Sequence, residues 1–69
     1  MNLLLAILLY LNSISTGQTY TYEQIEAMSA AQQPSIESIE QNSQQVIQIQ
    51  QDYGEQAGLI TIINRPENN

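Results

Sequence analysis

The chain has 69 residues, no Cys, no His and one basic side chain, Arg65, against seven acids, for a net charge of −6. That composition excludes a disulfide framework and deprives zinc and haem chemistry of their usual ligands. It also offers almost nothing to neutralise a phosphate backbone or an anionic membrane surface. A chain this short buries little surface, so its stability is expected to lean on a protein partner, on self-association or on a membrane.

Polarity comes mainly from amides and hydroxyls: charged residues make up only 12 % of the chain, while Gln occurs at 18, 24, 32, 33, 41, 44, 45, 48, 50, 51 and 56. A neutral polar surface of this kind is soluble but weakly guarded against self-association. It reads either as compositional drift or as an assembly surface built on amide hydrogen bonds.

The N-terminus is an unbroken apolar run, Leu3-Leu4-Leu5-Ala6-Ile7-Leu8-Leu9-Tyr10-Leu11, followed by the small and polar Asn12-Ser13-Ile14-Ser15-Thr16-Gly17. This is the order of a secretory h-region and a cleavage region, with Ser15 and Gly17 as small exit residues, but Met1-Asn2 supplies no Lys or Arg ahead of it. As a membrane span it is short: Leu3 to Ile14 covers about 18 Å of helix against a hydrocarbon core of about 30 Å. A helix packed within a protein assembly needs no particular length. With Met1 in place, retention of Leu3–Leu11 as an anchor or packed helix is the expectation, with cleavage near Gly17 as the alternative. No Lys or Arg lies between the run and Arg65, so a membrane role would put residues 18–69 on the far side.

Residues 18–22, Gln-Thr-Tyr-Thr-Tyr, favour an extended linker. Thr21-x-x-Gln24 then has the form of a capping box. Glu23 and Glu26 follow near the helix start, where the dipole favours negative charge. Tyr22, Ile25 and Met28 share a face, which predicts a helix over about 22–32. Pro34 interrupts it and suits the first turn of a second helix, with Ser35 as another candidate cap. That second helix is predicted over about 35–53, ending at Gly54. Its apolar stripe holds Ile36, Ile39, Val46, Ile47, Ile49 and Tyr53. A heptad can be written across both helices, but its a column is half polar and Pro34 interrupts it. A short helical association is therefore expected rather than a long coiled coil.

Residues 44–51 partly alternate, so a strand competes there, but the helical spacing continues through Val46 to Tyr53. Leu59-Ile60-Thr61-Ile62-Ile63 is mostly β-branched and reads as a short strand over 59–63. A lone strand cannot satisfy its backbone, so it has to pair or be buried. The tail 66–69 is expected to fray.

Little here suggests chemistry. Glu23/Glu26 and Glu37/Glu40 are spaced for one helical face, yet each pair lies near a helix start, where dipole compensation explains it. No His or Lys is available to activate a Ser or Thr. The expected fold is mainly α: an N-terminal apolar helix, two short amphipathic helices broken at Pro34 and a short C-terminal strand, without an independent globular core. Residues 1–17 form the signal-like or anchor segment and 18–69 an exported helical interaction region. The expected role is a small non-catalytic structural or assembly subunit, without catalytic, metal or cofactor residues. Its partner interface would be Ile25, Met28, Ile36, Ile39, Val46, Ile47 and Tyr53. Partners would be proteins or further copies of the chain, with membrane contact through residues 3–14 and no nucleic acid. The alternative is a secreted acidic binding peptide or effector.

Overall fold

The computed structural model describes residues 2–63, which fold mainly into helices. In chain order these are α1 (Asn2–Tyr10), β1 (Thr19–Thr21), α2 (Tyr22–Ala31), α3 (Gln33–Glu40), α4 (Ser43–Ala57) and β2 (Thr61–Ile63). The expectation for the tail 66–69 lies outside the described residues.

A helix that is apolar all round has to be buried all round. α1 meets that condition: the five consecutive side chains Leu5, Ala6, Ile7, Leu8 and Leu9 are each at most 5 % exposed. They lie in one buried cluster with Ile14, Ile25, Ile36, Ile39, Ile49 and Ala57. The expected lack of a globular core is therefore not what this structure shows. An apolar run with polar exit residues reads as an anchor, a signal segment or a packed helix alike; here α1 supplies five consecutive side chains of the chain's own core.

α1 ends in a Schellman motif. Ser13 N–H donates to the Leu8 carbonyl at 2.9 Å and Asn12 N–H to that of Leu9 at 3.0 Å. Asn12 takes the left-handed backbone this ending requires, at φ 62°. The apolar run thus stops for a local, readable reason, and Asn12 is the residue that supplies it.

α2 begins as its sequence dictates. Thr21 Oγ1 accepts from Gln24 N–H at 3.0 Å, and Gln24 Oε1 accepts from Thr21 N–H at 2.9 Å, completing the capping box. Pro34 falls in the first turn of α3, where a missing N–H costs nothing. Gln32, rather than Ser35, occupies the N-cap of α3 and makes no side-chain capping bond.

The predicted helix over 35–53 differs in two ways. It breaks at Gln41-Asn42, because Asn42 leaves helical backbone (φ −108°, ψ 98°) and its Oδ1 accepts from Gln45 N–H at 3.1 Å, so that a new helix starts. It then runs through Gly54 to Ala57, with Gly54 in ordinary helical backbone. The apolar stripe crosses the break, which hides it from a periodicity argument.

β1 and β2 pair in parallel, with Thr19 opposite Thr61, Tyr20 opposite Ile62 and Thr21 opposite Ile63. The 18–22 segment, expected to be a linker, is thus the partner that the C-terminal strand required. Period-two alternation turns Tyr20 and Ile62 to the same face, and both pack on the core. Thr19, Thr61 and Ile63 are exposed.

Candidate functional site

The expected interface residues are largely occupied within the chain. Ile25, Ile36 and Ile39 are buried, and Met28, Val46 and Tyr53 are half-buried against the core. Of the seven, only Ile47 is exposed, at 55 %. Geometry explains the split on α4: Ile49 points inward at 2 % exposure, and Ile47, two residues earlier, falls on the opposite side of the helix. Residues that the interface reading passed over, notably Ile49, Ala57 and Leu5–Leu9, form the inside of the molecule. Ile49 was visible in the apolar stripe. Nothing local to the sequence joins α1 to α4.

The best-defined internal surface is the one that α3 and α4 turn toward α1. Its floor is apolar, and its edge carries one directional contact. Gln45 Nε2 donates to the Tyr10 hydroxyl at 3.2 Å. The Tyr10 ring also meets Tyr53 edge-on, with centroids 6.2 Å apart at 75°, a favourable aromatic geometry. Beyond Tyr10 the chain returns to the core through buried Ile14 and then surfaces: Ser15, Thr16, Gly17 and Gln18 are all exposed. Ser15 is tethered by its N–H to the Tyr20 hydroxyl at 3.0 Å, and Gly17 sits at φ 86°.

Two shallow clefts stand out on the surface of the described residues. One, of about 390 Å³, lies between the end of α1 and the α3–α4 pair and is lined by Leu11, Pro34, Ser35, Ser38, Ile39 and Gln45. The other, of about 310 Å³, is lined by Tyr20, Gln24, Ala27 and Met28 beside β1 and α2. Neither is lined by an ionisable acid or base with which to do proton-transfer chemistry, beyond the Tyr20 phenol.

Among the described residues the carboxylates lie outward. Glu37 accepts from Gln33 Nε2 at 3.0 Å, and Asp52 accepts from Gln48 Nε2 at 3.2 and 3.3 Å. These are exposed contacts four residues apart along a helix, the spacing that stabilises helices by a few tenths of a kcal/mol, about 0.2–0.5. Among the described residues no group of three acids is gathered to hold a metal ion, and no helix is long and apolar enough to cross a membrane.

No protein-family model matches this chain, and no curated protein or solved structure matches it. Function therefore has to be argued from the surfaces just described.

Proposed function

We propose that this chain is a small, non-catalytic structural or assembly subunit of a larger complex, such as a virion, a secretion apparatus or a membrane complex. The observation that supports this reading is α1: a nine-residue helix, apolar throughout apart from its ends, which fits a matching face on α3 and α4. A helix of this kind joins by apolar contact, within a chain or between chains, and carries no group that does chemistry. With Ile25, Ile36 and Ile39 already covered, outward contact in the folded form falls to Ile47 and to Leu59, 70 % exposed, set among the glutamines of α4 and the following turn. On this reading the chain is exported or membrane-associated, with residues 18–69 beyond the membrane.

The test is sedimentation of the natural chain, followed by mass measurement of its N-terminus. Recovery of chains that retain α1 in a particle far larger than the 7.7 kDa chain is the expected result. Slow sedimentation of the intact chain as a free monomer would overturn the reading. A second reading, a secreted acidic binding peptide, is favoured by one observation: the small residues around Gly17 are exposed and accessible to a peptidase. A soluble product starting at Gln18 would establish it in place of the first.

A further inference from the structure

We propose that α1 is exchangeable between copies, so that the α3–α4 face of one chain is filled by the α1 of a second copy. The occupant of this face is already in view, because the chain's own α1 is seated there. Every further copy carries an identical helix, so the same apolar contacts and the same Tyr10–Gln45 bond form whether α1 comes from the same chain or another. Exchange of an identical element is a low-cost route to a dimer when the connecting segment can open.

The connecting segment has the properties that opening needs. The unit that would travel is residues 2–14, since Ile14 is buried along with α1. The hinge is Ser15–Gln18, exposed throughout. Fully extended, four residues reach about 14 Å. Two hydrogen bonds between Ser15 and Tyr20, Ser15 N–H to the Tyr20 hydroxyl at 3.0 Å and that hydroxyl to the Ser15 carbonyl at 3.4 Å, and a left-handed turn at Gly17 hold the hinge closed. Proline cannot adopt φ 86°, since its ring fixes φ near about −65°. Gly17→Pro therefore opposes the closed turn and favours the open hinge. The acidic charge acts the other way. Each copy carries −6, so dimers are disfavoured at low ionic strength and gain from added salt.

The exchange deepens the assembly reading and is tested on the purified full-length chain alone. The chain has no native Cys, so single cysteines report contacts cleanly. Tyr10→Cys and Gln45→Cys chains are mixed, unfolded, refolded together at several concentrations and salt levels, and linked with a short bis-maleimide, because the two side chains meet through their tips, before being resolved under denaturing conditions. The reference is Tyr10→Cys mixed with Gln51→Cys, because Gln51 is exposed on the outer side of α4. The expected result is a several-fold excess of the Tyr10–Gln45 hetero-linked dimer over the reference, rising with concentration and salt. Introducing Gly17→Pro into both partners raises it further. Hetero-linked dimer no more abundant than the reference in the chains with the native hinge overturns the exchange, whatever becomes of the Gly17→Pro chains. That outcome leaves assembly with other proteins standing, whereas free sedimentation of the natural chain removes the assembly reading itself.

Discussion

α1 and α4 are both helices, but for different reasons. Nine residues are too few for an isolated helix to persist in water, and α1 has neither an acid in its first turn nor a base in its last. It is helical because burial removes water from every side and leaves its backbone groups no other partners. α4 has 15 residues, an Asn42 cap, a Gln48–Asp52 side-chain pair along its surface and an apolar stripe on one side. α1 contributes five of the core's buried side chains, Leu5 to Leu9, and α4 contributes Ile49 and Ala57. One helix is the core and the other is its wall. A segment that sequence alone leaves between signal, anchor and packed helix can serve as the core of its own chain when an amphipathic partner lies downstream.

The contrast breaks most visibly at a buried position of α1. Leu8 is fully buried, and an aspartate there would sit among hydrocarbon with no partner. Leu8→Asp is expected to abolish the folded state, seen as loss of a cooperative urea transition by circular dichroism. Ile47→Asp on the outer side of α4 should leave the midpoint almost unchanged, since exposed substitutions usually stay within about 0.5 kcal/mol.

Within α4 itself, Ile49→Ala leaves a cavity at a site 2 % exposed and is expected to cost about 2–5 kcal/mol. Ile47→Ala is the matched comparison and should cost a small fraction of that. Equal shifts in urea midpoint for the two would show that α4 does not present one face to α1. A smaller effect tests the break between α3 and α4. Asn42→Ala removes the cap on Gln45 N–H and should cost about 1 kcal/mol. No loss of stability would mean that α3 and α4 merge into one helix.

The smallest expected change has the opposite sign. Gly54 lies in the helical interior of α4, and a Cβ built there meets nothing within 4 Å. Gly54→Ala should therefore stabilise by about 0.5–1 kcal/mol, through the entropy glycine loses in a helix. A raised thermal midpoint is the readout. A lowered one would mean that the surface beside Gly54 is needed bare.

What was legible in the sequence was local. Thr21 and Gln24 are three residues apart, and their capping box fixes the start of α2 without help from the rest of the chain. Pro34 likewise marks the α2–α3 boundary by itself. Two local signals were available but outweighed by the apolar pattern. Asn42-x-x-Gln45 has the form of a helix start, and Asn12 is a residue that tolerates the left-handed end of α1. Ile39 and Val46 keep helical phase across the first, and Asn12 reads equally as the polar exit from a signal segment, so neither signal stands out by itself. The rest is non-local. Tyr20 and Ile62 are far apart in sequence, and neither strand specifies its partner. The seat of α1 against α4 depends on an apolar face that Ile36, Ile39 and Ile49 make only once α3 and α4 are folded. The candidate interface was consequently read as a surface between chains, when in this structure most of it is an inside.

The order of α1 and its cover along the chain sets a timetable. Synthesis proceeds from the N-terminus, so α1 is complete before any of α3 or α4 exists. Between Tyr10 and the end of α4 at Ala57 lie 47 further residues. At ordinary synthesis rates that interval lasts about 2–9 s. For those seconds the apolar segment exists without the face it occupies in the folded chain. A factor that binds apolar segments as they leave the ribosome would therefore compete with a fold that has not yet been spelled out, and elongation rate would set the balance. Slowing translation while α4 (Ser43–Ala57) is being made would then increase the share of chains captured through α1, and speeding it would increase the share that fold around it.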